Sequence, residues 1–365
     1  MMNEVNPYQP DRRRIISLRE GEEITSFYLI KDISFNKTDA TTNRPAAEYM
    51  TIHLMDETGE LQAKVWGLSP KEKEDYENRY RKFRLLKVKA LVQLYKPANK
   101  APILQLKLIQ HRLAERTDGY KRQEFVRSAP IQLDEVLVAI KERLQDVSDP
   151  VLRNIALFCY EKAGKKIIEF PAAKNLHHAY FGGLLYHKWR GLEAIEFYGE
   201  QRPFLNLDLM VTGWLIHDIA KVEELLVELG ICSDYSRRGK LLGHIAIATL
   251  WISEACFHYG FDIYDHVVED LMHVVLAHHN KAEHGSPVQP RLPEAVAIHY
   301  VDMMDSRLQG IEDAFMMMRP EEEWTPKLFM LENQSFYRGS LSEEAEKPQQ
   351  APFTGPSGPI FGGVA

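Results

Sequence analysis

His217 and Asp218 stand side by side in Trp214-Leu215-Ile216-His217-Asp218-Ile219-Ala220-Lys221, a mostly apolar run. A buried imidazole beside a buried carboxylate is costly unless something satisfies both, and a divalent cation does so. Neighbouring helix positions point about 100° apart, so the pair reaches one ion only where that ion lies against the helix. A carboxylate can also give one oxygen to each of two cations, which makes Asp218 the natural centre of a two-metal site. The other candidate ligands are His187 in GGLLYH, His244 in LLGHI, His278 and His279 in VVLAHHN, and Asp302 in HYVDMMD, each among apolar residues. Taken singly, such a histidine is more often a hydrogen-bonded core residue than a ligand. The ordered set H, HD, H, HH, D on separate predicted helices points instead to a metal centre. Mixed imidazole and carboxylate donors suit Mn²⁺ first, with Co²⁺, Fe²⁺ and Zn²⁺ close behind; Mg²⁺ and Ca²⁺ want mainly oxygen, and Mg²⁺ is kept as a further candidate cofactor.

Lys221 follows His217 by four residues and Asp218 by three, which places it on the site's side of the helix. Its ammonium is a candidate catalytic group, holding a phosphate oxygen as charge develops. The bland alternative is a lysine at the helix surface. His178 precedes His187 by nine residues, off the ligand face of a regular helix, and Asp305, nearly one turn after Asp302, is a candidate to orient a ligand histidine. His258, His266 and His273 read as structural.

These side chains must be carried by helices. From Ile131 onward the apolar period is helical, and Pro130, Pro150 and Pro171 punctuate successive helices. Further helical blocks are predicted at Asn175 to Tyr198, Leu207 to Leu229, Arg238 to Tyr259, Tyr264 to His279 and Pro293 to Met318, an all-α domain over 131–340. Within a first domain over 15–112, the dominant pattern between about Ile24 and Arg112 is alternation of period two instead. Met50 to Leu54 and Leu61 to Val65 read as strands joined by the Asp56-Glu57-Thr58-Gly59 turn, with Gly59 at a positive φ. Ser69-Pro70 opens a polar helix, and strands follow at Leu85 to Tyr95 and Ile103 to Gln110. Three strands, a helix and two strands is the order of an OB-fold β-barrel, which often binds single-stranded nucleic acid. Residues 342–365, rich in Pro and Gly, read as a flexible tail.

A basic stretch lies within the barrel region. Residues 79–112 hold Arg79, Arg81, Lys82, Arg84, Lys87, Lys89, Lys96, Lys100, Lys107 and Arg112 and no acidic residue, although the 365-residue chain has a net charge of −7. Such segregation favours a phosphate backbone as partner, and Phe83, Tyr80 and Tyr95 among the charges are candidates to stack unpaired bases. The competing reading has the lysines solvating the barrel while the aromatics fill it.

Composition excludes other classes. With 45% hydrophobic and 27% charged residues the chain is an ordinary globular protein of two or three domains. Three widely spaced cysteines form neither a disulfide framework nor a thiolate zinc site. No apolar run approaches the roughly 20 residues that cross a bilayer, and the N-terminus is charged, so a cytoplasmic protein without a membrane partner is expected.

The ligand set resembles the HD superfamily of metal-dependent phosphohydrolases. The stretches LHHAYFGGLLYH, LNLDLMVTGWLIHDIAKVEEL, GKLLGHI, LAHHN, HGSPVQPRLPEAVAIHYVDMMDSRL and SFYRG are similar to the HD domain of YhaM-type 3′→5′ exoribonucleases, which also carry an N-terminal OB-fold. The resemblance implies that His187, His217, Asp218 and Asp302 hold one metal and that Asp218, His244, His278 and His279 hold a second. It further implies hydrolysis of single-stranded RNA from its 3′ end to nucleoside 5′-monophosphates, with single-stranded DNA as a further candidate substrate. Departures are local: Ala220 replaces the usual Gly of HDIGK, Tyr186 and Lys188 flank His187 where Glu and Thr or Ser are common, and Asn280 replaces a frequent Gly. Two rival readings are a nucleotide phosphohydrolase or cyclic-nucleotide phosphodiesterase with a regulatory OB domain, and a non-catalytic single-strand-binding protein.

Overall fold

The computed structural model describes residues 12–38, 46–96, 102–175, 177–319 and 322–339. They fall into two compact units, divided between Arg127 and Ser128, with the short segment from Met316 to Arg319 belonging to the first. The tail expected at 342–365 and Lys100 lie outside the described residues.

The first unit is a closed five-stranded barrel followed in the chain by a helical unit, as the change of period implied. Its strands are β1 (Glu23–Lys37), β2 (Glu48–Asp56), β3 (Gly59–Trp66), β4 (Leu85–Tyr95) and β5 (Ile103–Leu113), arranged β1-β2-β3-β5-β4. All neighbours are antiparallel except β3 and β5, whose parallel pairing lets the sheet close. One phase of the alternation, including Met50, Ile52, Leu54, Ala63, Val88 and Leu106, fills the interior. The opposite phase therefore faces out.

Two local expectations meet different outcomes here. Ser69 does cap α1 (Pro70–Arg79), with a reciprocal bond between Ser69 and Glu72 that satisfies two amide donors at the helix start. Gly59, however, already belongs to β3 and pairs with Asp56, so the turn is Glu57-Thr58 and Gly59 has no positive φ. The Asp56 carboxylate makes this turn by accepting from the Thr58 amide at 2.8 Å and hydroxyl at 2.6 Å.

The second unit contains α2 (Leu133–Gln145), α3 (Pro150–Ala163), α4 (Lys166–Glu169), α5 (Gly183–Gln201), α6 (Leu207–Ile216), α7 (Lys221–Glu224), β6 (Leu225–Glu228), β7 (Ile231–Tyr235), α8 (Arg237–Tyr259), α9 (His266–Ala277) and α10 (Pro293–Met316). Two boundaries depart from periodicity, and one helix differs in hydropathy. α5 begins at Gly183 rather than Asn175, because Gly182 and His178 both adopt left-handed backbone. α6 stops at Ile216, so His217 and Asp218 occupy a turn, and the predicted helix out to Leu229 gives way to α7 and the β6–β7 hairpin. The helical half is thus not purely α. Finally, α8 is long and apolar enough, at a mean hydropathy of 1.3, to meet the length and composition of a membrane span, which apolar run length did not anticipate. It breaks at Gly243, with φ of 72° and ψ of 158°, and sends Trp251 and Ile252 into the core.

That core is built around Trp214 and Trp251, with the inward faces of α3, α5, α6, α8 and α9. Gly191 is there because a Cβ on it would lie 1.9 Å from the Trp214 ring. Cys159, Cys232 and Cys256 are buried, unpaired thiols.

Candidate metal centre

Each candidate ligand leaves its element at a place fixed by local chemistry. His187 sits in the first turns of α5; His217 caps the C-terminus of α6, with Asp218 next in the turn; His244 follows the Gly243 break in α8; His278 caps α9, with His279 beyond it; Asp302 lies within α10. Packing brings all seven together. Asp218, His244, His278 and His279 offer donor atoms within 4.8 Å of one another, as do His187, His217 and Asp218, and also His217, His278 and Asp302.

The Asp218 carboxylate faces both ways. Oδ2 lies 3.9 Å from His187 Nε2 and 3.5 Å from His217 Nε2, whereas Oδ1 lies 3.2 Å from His244 Nε2 and 3.7 Å from His278 Nε2. Asp302 Oδ1 closes the first group at 3.4 Å from His187 Nε2 and 4.0 Å from His217 Nε2. Donors that share one ion at ~2.0–2.2 Å stand roughly 3 Å or a little more apart, so these spacings suit cations.

Hydrogen bonding singles out the same atoms. Four of the histidines spend Nδ1 outward: His187 on Asp305 at 2.8 Å, His217 on the Trp214 carbonyl at 2.8 Å, His244 on Glu224 at 3.1 Å and His278 on the Val275 carbonyl at 2.7 Å. That leaves Nε2 pointing inward. The Nε2 atoms of His187, His244 and His278 and Oδ1 of Asp218 are buried without a hydrogen-bond partner among the described residues. An orphaned buried polar atom costs about 1–3 kcal/mol, so four of them divided between the two sides of Asp218 call for occupants, and a divalent cation on each side satisfies them.

Electrostatics agree. Burial alone would raise the pKa of Asp218, but Lys221, His217 and His244 hold it well below the usual carboxylate range. Burial, reinforced by neighbouring His279, holds His278 well below the usual histidine range, and burial with Lys188 pulls His217 down to about 4. These two imidazoles are neutral donors near pH 7, as metal binding requires, whereas burial of His244 is outweighed by its bonds to Asp218 and Glu224, which raise its pKa. Lys221 Nζ lies 2.6 Å from Asp218 Oδ2.

Several residues around the ligands were given no such place from the sequence. Lys188, fully buried and with its pKa driven down to about 7 by burial, donates to the Trp214 carbonyl at 3.1 Å. Glu224 backs His244. The predicted helix through Leu229 concealed Glu224, because its geometry depends on the chain turning at His217. His178 lies outside α5 and is buried against Asp305 at 2.8 Å. His177 has a buried Nδ1 without a hydrogen-bond partner among the described residues.

The barrel surface rearranges the basic stretch. Arg79, Lys82, Lys87 and Lys89 pair with Asp75, Asp32, Asp118 and Glu23 at 3.0, 3.1, 3.3 and 2.9 Å, carboxylates that the stretch itself lacks. Arg81 bonds the Glu77 and Tyr80 carbonyls. Arg84, Lys96 and Lys107 pair with no carboxylate among the described residues. Phe83 is only 4% exposed and Tyr80 is buried with its hydroxyl on His111, so neither offers a face for stacking. Tyr95 is exposed. It belongs to a group the charge count overlooked: Tyr49 and Trp66 stack at 4.5 Å, and Lys64 lies over the rings of Tyr49, Trp66 and Tyr95 at 5.2, 5.4 and 5.7 Å. The outward phase of β2 and β3 was a sufficient signal for this group.

The 3′-5′ exoribonuclease YhaM of Geobacillus sp. (strain WCH70) is 34% identical over 328 residues, covering 90% of this chain and 95% of that protein. The chain belongs to the YhaM family. YhaM proteins of Bacillus licheniformis and Bacillus velezensis are 32% and 31% identical over 318 and 323 residues, covering 87% and 88% of this chain and 95% and 97% of theirs. No family model matches. A replication protein A domain from Methanococcus maripaludis is similar over 29% of this chain and 98% of its own, at 13% identity and a TM-score of 0.21; the barrel's assignment rests on its own strand order. Against the YhaM pattern, two departures have a physical account. Asn280 takes a φ of 64°, a left-handed position where Gly and Asn are the usual occupants, and Ala220 has an ordinary φ of −74° that any residue adopts.

Proposed function

We propose that this chain is a divalent-cation-dependent hydrolase that removes nucleotides from the 3′ end of single-stranded RNA. The observation that carries the reading is the Asp218 carboxylate, each oxygen of which faces its own set of inward Nε2 atoms. Membership of the YhaM family supplies the substrate and the direction. His187, His217, Asp218 and Asp302 would hold one cation, and Asp218, His244, His278 and His279 the other, with Mn²⁺ the first candidate given the mixed donors. When bound, such cations polarise phosphoryl oxygens and lower the pKa of a water towards 7. Lys221, beside Asp218, supplies a fixed positive charge to the scissile phosphate.

The barrel holds the upstream strand. Tyr49, Trp66 and Tyr95 present faces to unpaired bases, while Lys64, Lys96 and Lys107 meet phosphates; stacking of this kind tolerates any base.

The test is digestion of 5′-labelled single-stranded RNA and DNA across Mn²⁺, Co²⁺ and Mg²⁺. A ladder shortening from the 3′ end, abolished by chelator, is expected with RNA. Cleavage confined to mononucleotides or cyclic nucleotides would replace this reading with a small-nucleotide hydrolase.

A further inference from the structure

Two carboxylates stand behind the ligand histidines. Asp305 in α10 accepts through one oxygen, Oδ2, from His187 Nδ1 and from His178 Nε2, both at 2.8 Å. His178 in turn shares its Nδ1 with the Tyr180 hydroxyl at 2.9 Å. This chain of groups is buried, and its backbone is built for it. His178 takes a left-handed φ of 48°, and Gly183 must be glycine because a Cβ there would lie 1.9 Å from the His178 carbonyl oxygen. The histidine pair and glycine pair of LHHAYFGGLLYH are therefore one device: the glycines let the turn close so that His178 reaches Asp305.

Glu224 plays the matching part on the other side. Both its oxygens lie 3.1 Å from His244 Nδ1, and Oε1 also accepts the His244 amide at 3.0 Å, which ties the histidine down where α8 breaks at Gly243. Among the described residues His217 and His278 have no such carboxylate; their Nδ1 atoms rest on backbone carbonyls three residues earlier. Hydrogen bonds to an ionised acceptor are roughly twice as strong as neutral ones, and a carboxylate behind a ligand imidazole fixes its ring and raises its donor strength.

We propose that Asp305 and Glu224 are positioning residues that set the affinities of the two cation positions independently. Asp305, braced by His178, serves the position of His187, His217 and Asp302. Glu224 serves the position of His244, His278 and His279. The assignment rests on the two-cation reading above. Asp218 is common to both positions, so independent control has to come from groups that touch only one side, and these two carboxylates do.

The experiment uses the full chain, stripped with chelator and titrated with Co²⁺, followed by calorimetry and by visible absorption. Wild type should show two binding events. Asp305→Asn should weaken one of them by about 10- to 100-fold, the usual effect of losing such a partner, and leave the other in place; Glu224→Gln should do the reverse. On a His187→Ala background, Glu224→Gln should weaken the surviving event while Asp305→Asn does not. His178→Asn, which tolerates the left-handed backbone and keeps a donor, should bind Co²⁺ better than His178→Leu. Equal weakening of both events by either variant, or no weakening at all, would overturn independent control. Failure of wild type to bind Co²⁺ would overturn the metal centre itself, and the anchors with it.

Discussion

The Lys221 ammonium sits 2.6 Å from Oδ2 of Asp218, the same oxygen that faces His187 and His217. Burial would lower the pKa of Lys221, but Asp218 outweighs it and holds the pKa above the usual lysine value, so the group is cationic throughout the working range. In the proposed mechanism Lys221 acts through charge and not through proton transfer. Lys221→Met should retain its metal and lose at least tenfold in kcat, a barrier increase of about 1.4 kcal/mol. His187→Ala should lose the metal of its own position and keep the other. Elemental analysis of both proteins beside their turnover decides; equal metal loss would reduce Lys221 to a support for the turn.

The aromatic group on the barrel predicts a separable effect on binding. Trp66→Ala and Tyr95→Ala should each weaken single-stranded RNA binding by the ~1–3 kcal/mol of a lost stack. Cleavage of a dinucleotide should hardly change. Fluorescence anisotropy with a labelled strand gives the first quantity, and equal losses on long and short substrates would remove this face from the RNA path.

Gly191 offers a stability test that reaches the site through one ring. A methyl at that position would collide with Trp214, whose indole N–H donates to the Lys188 carbonyl at 2.8 Å and whose own carbonyl accepts from His217. Gly191→Ala should cost about 1–3 kcal/mol through overpacking and lower the melting temperature. A variant as stable as wild type would show that the ring has room to move.

Asp118 should contribute to the acid limb of the barrel's stability. It accepts from both Arg112 nitrogens at 2.8 Å and from Lys87 at 3.3 Å, and the Arg112 bonds hold its carboxyl well below the ordinary value of 3.8. A carboxylate depressed in the fold contributes stability that is present above its unfolded pKa and lost as the pH falls through the folded one. Asp118→Asn should therefore be less stable than wild type at neutral pH and lose less on acidification from about pH 5 to pH 2. Denaturant titrations across that range check it, and parallel curves for the two proteins would contradict it.

Much of this was legible in the residues alone. Period two against period 3.6 separates barrel from helices because each reports which side chains are buried, and burial repeats with the geometry of the element. The same logic made His187, His217, Asp218, His244, His278, His279 and Asp302 conspicuous, since titratable groups in apolar runs demand a partner. Tertiary packing decided the rest. That Oδ2 of Asp218 faces His187 and Oδ1 faces His244 depends on helices far apart in the chain converging on a turn, and α6 ending at Ile216 rather than at Leu229 makes that turn. The anchors Asp305 and Glu224 follow from the same convergence. On the barrel, charge along the chain placed the RNA surface on Lys87 and Lys89, but Asp118 and Glu23 reach them from outside the basic stretch and pair with them. Cross-strand neighbours are set by register, a property of two strands together, so neither strand's own sequence shows which lysine is neutralised and which, like Lys64, lies over aromatic rings.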